Sequence, residues 1–236
     1  MTVNLGLTTG QNTIGAGTDT LSNLENLLGS GFNDTLAGNA GTNVLDGAAG
    51  TDTVSYASAT AGVTVNLGLT SAQNTIGAGI DTLLNIEKLT GSNFNDTVTG
   101  NTGYNTIIGG SGTDQLNGGA GTDTLTGSSG TDRFIFNTTL NATTNKDSIM
   151  DFSVVDDTLV LENAIFTKFT ATGALPSGTF VSGAGAVAAD TNDFLVYNTT
   201  TGTLSYDADG NGAGAAVSVV TLVGIPAVTA ADFTII

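Results

Sequence analysis

Nine-residue frames run without a break from Gly91 to Ile135, and they constrain the fold more tightly than any other feature of the chain. The clearest are Gly109–Asn117 (GGSGTDQLN) and Gly118–Thr126 (GGAGTDTLT), which read G-G-x-G-x-D-x-U-x with U a large apolar residue. One frame sets backbone shape, core and candidate ligands together, because its glycines allow a tight turn, Asp ends the turn and U points inward. Three more frames lie earlier, at Gly29–Ala37, Gly38–Asp46 and Gly47–Ser55. Position eight is Leu36, Leu45 and Val54 there, then Val98, Ile107, Leu116, Leu125 and Phe134 in the longer run. If two frames make one turn of a parallel coil, residues eighteen apart stack. Leu116 then lies between Val98 and Phe134 in a continuous apolar ladder.

The frames belong to a larger repeat. Thr2–Val54 and Thr64–Leu116 are offset by 62 residues and about two-thirds identical. Such arrays stack because a single unit cannot bury its own apolar face. Gly15–Ser22 and Gly77–Leu84 are partial frames, each followed by an Asn-x-Glu-x-Leu segment that breaks the nine-residue count, so bulges or wider turns are expected there. The second copy has a lead-in, Tyr56–Val63, whereas the first starts abruptly at Met1. That contrast suggests a chain cut from a longer array, with an N-terminal stacking face open.

Composition narrows the chemistry. Glycine is about twice its usual share of roughly 7%, and Thr, Val, Ile and Leu fill the gaps, which favours short strands joined by turns. Twenty-one acidic residues face only Lys88, Arg133, Lys146 and Lys168, for a formal charge of −17. Such a surface repels nucleic acid and anionic lipid, so neither nucleic-acid binding nor membrane insertion is expected. Cysteine and histidine are absent, which removes disulfides, thiolate sites and the usual general base. No basic, apolar leader precedes the first frame.

Carboxylates this numerous, set at the ends of glycine turns, suit a hard divalent cation. A six-residue turn curls its carbonyls inward, and stacked turns supply six or more oxygen ligands, as Ca²⁺ prefers over Mg²⁺. Stacking by eighteen pairs Asp34 with Asp52, Asp96 with Asp114, Asp114 with Asp132, and Asn105 with Asp123. The candidate turn positions around them are Gly91, Asn93, Asn95, Gly100, Gly109, Ser111, Thr113, Gly118, Ala120, Thr122 and Gly127. Asn105 replaces a carboxylate, so weaker binding is expected there. Asn43 does likewise, with no partner visible in the regular frames.

After Phe136 the frame stops. Alternating segments at Asp147–Phe152 and Asp157–Leu161, and a strand pair at Asp193–Tyr197 and Thr203–Tyr206, read as an antiparallel β domain capping the coil. The division is therefore residues 1–136, a roll with two units of about 62 residues, and residues 137–236, a C-terminal β domain. Asp207 and Asp209 sit in DADGNG, which resembles half of an EF-hand loop but has Ser218 where the closing Glu would stand. No helix pattern flanks it, and a polar hairpin turn beside Tyr206 is the favoured reading. Asp147, Asp151, Asp156 and Asp157 form either an ion site at the junction or a solvated strand edge.

With these residues in view, the chain resembles the C-terminal part of an RTX, or hemolysin-type calcium-binding repeat, protein. The resemblance implies an all-β fold: a right-handed parallel β-roll, or β-helix, followed by an antiparallel cap. Asp147–Leu161 and Asp193–Ile236 are also similar to the domain that follows the repeats in serralysin-type secreted proteases. The shared points are Asp151-Phe152, Asp193–Tyr197, Tyr206–Gly212 and the ending Asp232-Phe233-Thr234-Ile235-Ile236. In such families an acidic residue followed by an apolar C-terminus is an uncleaved signal for type I secretion through an ABC transporter. The asparagines at position six, the 62-residue array and the lack of a His-bearing zinc motif depart from the pattern, so protease activity does not carry over.

The resulting expectation is a secreted, extracellular or cell-surface calcium-binding module that folds on Ca²⁺ after export and is not itself an enzyme. The alternative is the structural anchor or spacer end of a surface-layer protein or adhesin, with surface or self-assembly partners.

Overall fold

A computed structural model describes residues 1–14 and 17–236. Among these residues every regular element is a β-strand except one 3₁₀ turn at Ala230–Asp232. From the second unit on, successive frames alternate between two sheets. Thr106–Ser111, Thr124–Ser129 and Asp147–Ile149 build one; Thr97–Thr99, Gln115–Asn117, Arg133–Phe136 and Thr158–Leu161 build the other. Neighbours within each are parallel. The chain is thus a parallel β-roll, its rungs set by the eighteen-residue stacking that the frames predict.

The ladder lies in register. Val98 pairs with Leu116 and Leu116 with Phe134, while Ile107 pairs with Leu125 on the other sheet. All eight position-eight residues named above are buried and share one core. Each strand contributes only one or two inward side chains, so the core is a column whose stability grows with every rung added.

The irregular segments do not break the column. Val54 pairs with Leu89, thirty-five residues on, and Leu89 then pairs with Ile107. The intervening chain crosses to the other side, where Thr64–Asn66 joins Thr97–Thr99. It then makes an antiparallel pair, Gln73–Ile76 with Gly79–Leu84, whose register shifts between Gly79 and Ile80. Gly79–Leu84 also stacks in parallel on Thr42–Asp46, which gives Asn43 a partner in Asp81. The expected bulge at Gly77–Leu84 is therefore a hairpin inserted into the roll. The matching frame at Gly15–Ser22 lies partly outside the described residues.

Beyond Phe136 both sheets continue. Asp147–Ile149 and Thr158–Leu161 add parallel rungs, and Val217–Leu222 and Phe233–Ile235 extend them again in parallel. Antiparallel strand pairing at the cap joins Leu195–Asn198, Thr203–Tyr206 and Val217–Leu222, with the short Gly173–Ala174 on the far edge and a single bridge between Asn141 and Asn145. The parallel rungs persist because Asp147-x-Ile149 and Asp157-x-Leu159 keep the acid-to-apolar spacing of the frame after its glycines are gone. Phe134 packs against Phe152, and Phe166 and Phe169 close on Tyr206, so aromatic side chains plug the end of the roll.

Candidate metal sites

Position six forms a second, polar ladder beside the apolar one. The main-chain N–H of Asp34 donates to Oδ1 of Asp52 at 2.7 Å, and that of Asp96 to Oδ1 of Asp114 at 2.8 Å. Asn105 N–H donates to Asp123 at 2.7 Å, and Asp114 N–H to Asp132 at 2.9 Å. The ladder continues past the frames: Asp123 N–H donates to Asp147 and Asp132 N–H to Asp157. One oxygen of each carboxylate therefore caps a buried N–H of the preceding turn, a structural duty that an unpaired N–H would make costly to lose.

The second oxygen divides the turns into two kinds. In the frames starting at Gly29, Gly38, Gly91 and Gly100 the position-six side chain accepts the N–H of position two in its own turn, Asp34 and Asp96 through Oδ2 and Asn43 and Asn105 through their one amide oxygen. The pairs are Ser30 with Asp34, Asn39 with Asn43, Ser92 with Asp96 and Asn101 with Asn105. These turns are closed. Asp96 is further held by the Ser92 hydroxyl and by Val63 N–H, both at 2.7 Å, and the Asn105 amide donates to the Glu87 carbonyl.

In the frames starting at Gly47, Gly109, Gly118 and Gly127, positions two and four turn left-handed: Ala48 and Gly50, Gly110 and Gly112, Gly119 and Gly121, Ser128 and Gly130. That swings the position-two N–H away from position six. Oδ2 of Asp52, Asp114 and Asp123 is then buried with no hydrogen-bond partner. Each lies against the Cα of the frame's first glycine, in the space that a Cβ at Gly47, Gly109 or Gly118 would fill. Carbonyls crowd the same turns from the rung before: those of Ser92 and Phe94 face Gly110 and Gly112, and those of Asn101 and Gly103 face Gly119 and Gly121.

The electrostatics agree. Burial pushes the Asp114 carboxyl up to about 7, aided by the charges of Asp96 and Asp132, and the Asp123 carboxyl to about 6. Burial also carries Asp132 to about 6 and Asp147 to about 7. Among the described residues the only ion pair is that of the Met1 amine with Asp34, so no lysine or arginine neutralises the ladder. No three acidic side chains converge among the described residues either. A cation here would draw one or two carboxylates and take its remaining ligands from main-chain carbonyls. Buried, unpaired, oxygen-only donors on glycine turns fit Ca²⁺. The residues that would hold it are Asp52, Asp114, Asp123 and Asp132, each in an open turn stacked on the turn before.

The other sequence candidates are spread over the open turns, the closed turns and the cap. Gly91, Gly100, Gly109, Gly118 and Gly127 are buried at first positions. Asn95 uses its side chain to accept Thr113 N–H at 2.9 Å, while Asn93 is exposed. Ser111, Ala120 and Thr122 lie half-buried on the turns. Asp207 is buried and Asp209 exposed on the loop after Thr203–Tyr206; Asp209 accepts Gly214 N–H, and Asn211 ties the loop to Ala189 and Asp190.

Two rungs escape the nine-residue count. Glu87 accepts Asp52 N–H through Oε2 at 2.8 Å, so a glutamate serves where the frame has aspartate. Asp81 is fully buried, receives the Tyr56 hydroxyl at 3.1 Å and leaves Oδ1 unpartnered. The signal that finds both is an acid two residues before a buried apolar side chain, as in Glu87-x-Leu89 and Asp81-x-Leu83.

Fold and donors together define a parallel β-roll with oxygen-only cation sites between its turns. Residues 25–56, 90–125 and 108–137 match the RTX calcium-binding nonapeptide repeat, in four copies. The chain thus carries RTX repeats, and these are calcium-binding repeats. No curated protein matches the chain. Among solved structures, the extracellular lipase LipA from Serratia marcescens aligns at 15% identity and a TM-score of 0.26. That alignment covers 94% of this chain and 41% of the lipase chain.

Proposed function

We propose that this calcium-binding module folds on Ca²⁺ after export through a type I transporter and serves outside the cell as a non-catalytic, calcium-stiffened segment. The observation that carries the reading is the buried, unpartnered Oδ2 of Asp52, Asp114 and Asp123. Without a cation these groups oppose the fold, and with one they favour it, so binding free energy becomes folding free energy. In calcium-poor cytoplasm the excess negative charge keeps the chain expanded; at millimolar Ca²⁺ outside, weak oxygen sites fill.

The C-terminal ending supports the same order of events. Phe233–Ile235 is an inner strand, between Thr158–Leu161 and Gly173–Ala174, and Phe233 and Ile235 are buried. Asp232 caps the preceding turn through Thr229. A transporter reading Asp232–Ile236 must therefore meet the chain before the roll closes. Circular dichroism in EDTA and then in Ca²⁺ tests the folding claim, and a strand spectrum indifferent to Ca²⁺ would sink it. Deleting Asp232–Ile236 should hold the product inside cells; undiminished export would remove the secretion claim.

A further inference from the structure

The two 62-residue units have the same local structure but different surroundings. In the second, Gly79–Leu84 is a six-residue strand stacked on Thr42–Asp46, and Lys88–Thr90 is paired on both sides, by Thr53–Ser55 and Thr106–Ser111. The equivalent strands of the first unit are Thr18–Asp19, only two residues long, and Asn26–Leu28, paired with Thr42–Asp46 on one side only among the described residues. Side chains follow suit. Ile86 is 3% exposed and its equivalent Leu24 is 40% exposed; Leu83 is buried and Leu21 half-buried; Asp81 is fully buried and Asp19 half-buried.

We infer that the face carrying Asp19, Leu21, Leu24 and Glu25 is a docking surface for a further 62-residue unit of the same kind. The second unit shows what each group would do. Asp81 receives the hydroxyl of Tyr56, from the lead-in to the second unit, and Glu87 receives the N–H of Asp52, from the first unit. Asp19 and Glu25 hold the same places 62 residues earlier. Leu21 and Leu24 hold the places of the buried Leu83 and Ile86.

The face is already shaped for this. Thr13 donates to Asp19 and to the Gly17 carbonyl, as Thr75 does to Asp81 and Gly79. Gln11 clasps Asn4 through both amide atoms, as Gln73 clasps Asn66. These bonds already hold Gln11, Thr13 and Asp19 as their counterparts are held in the second unit.

The occupant follows from the edges required. The partner must present strands like Thr42–Asp46 and Thr53–Ser55, followed by a tyrosine. In this chain both strands are already flanked on each side, so a second copy has no such edge to offer. Only an additional unit does. The inference rests on the internal repeat and is independent of export.

The test is a three-unit protein in which residues 1–62 are duplicated ahead of Met1, compared with the original chain in saturating Ca²⁺ by hydrogen exchange. Amides of Thr18–Leu28 should slow at least tenfold, to the rates of Gly79–Thr90. Unchanged exchange overturns the inference, as does an added unit that stays unfolded while Thr97–Thr99 remains protected. In a second arm, Leu24→Asp should leave the melting temperature of the original chain nearly unchanged and lower that of the three-unit protein by several degrees. Equal effects in both also overturn it.

Discussion

Oδ1 of Asp114 accepts the main-chain N–H of Asp96 from one turn away at 2.8 Å, while Oδ2 of the same carboxylate accepts nothing. One side chain thus splits two duties, capping the fold and offering a ligand. Asp114→Asn keeps an acceptor for Asp96 N–H and removes the charge. Asp114→Ala removes both. Each should weaken calcium binding about tenfold or more at that pair of turns by titration calorimetry, since a hard cation loses its anionic ligand. In saturating Ca²⁺, Asp114→Ala should cost a further ~1–3 kcal/mol in urea unfolding, because it strands a buried N–H. Asp96→Asn should cost far less affinity, since both Asp96 oxygens already serve the protein.

The pH dependence of the calcium-free chain has a definite sign. Asp114 and Asp147 are raised to about 7, and Asp123 and Asp132 to about 6, burial being the main cause in each case. An unfolded carboxyl titrates near ~3.9. The folded state therefore holds these protons more tightly. Its stability is fully expressed below the unfolded value and is lost as pH rises through 6 to 7. In EDTA, the strand signal or melting temperature should rise on going from pH 8 to pH 5. Calcium affinity should fall over the same interval, because protons compete for the same oxygens. A melt in EDTA that is more stable at pH 8 than at pH 5 would contradict the desolvated ladder.

Much of this architecture is legible in the residues alone. Stacking at eighteen residues, the column Val98–Leu116–Phe134 and the pairs Asp34–Asp52 and Asn105–Asp123 follow from counting frames. The count fails where the repeat unit is not the nonapeptide but the pair of an acid and an apolar residue two positions on. Glu87 keeps that pair without the glycines, and so do Asp147 and Asp157, which is how the roll runs on past Phe136, while Asp81 keeps it in a partial frame that is out of step with the eighteen-residue count. The difference between Asp96 and Asp114 is not legible in the frames. It depends on the left-handed backbone of Gly110 and Gly112, whereas Ser92 keeps an ordinary backbone and closes its turn. Ser128 and Ala48 turn left-handed without being glycine, so residue type alone does not sort open turns from closed ones.

Two glycines separate backbone strain from collision. Gly130 has φ of +137°, and a Cβ there would run into the Gly112 carbonyl of the turn before. Gly173 has φ of +109° with open space around it. Gly173→Ala should cost only the left-handed penalty of about 1–2 kcal/mol. Gly130→Ala should cost clearly more and reduce calcium affinity as well, because the stacked turns must separate. Urea unfolding and calcium titration on both variants check the contrast.

Phe134 tests whether the column is one cooperative core or a string of separate rungs. It is fully buried, pairs with Leu116 before it and Leu159 after it, and packs against Phe152 with ring centroids 6.1 Å apart. It therefore joins the last nonapeptide to the cap. Phe134→Ala should cost about 3–5 kcal/mol, the usual range for a buried phenylalanine. Val3 lies in a strand paired on one side only, with Leu36 opposite it, so Val3→Ala should cost less than half as much. If the rungs couple only to nearest neighbours, hydrogen exchange in Phe134→Ala should quicken around Gln115–Leu161 and leave Thr35–Ser55 little changed. If the whole roll opens as a unit, protection should fall equally at both ends, and the nearest-neighbour picture of the column would have to be given up.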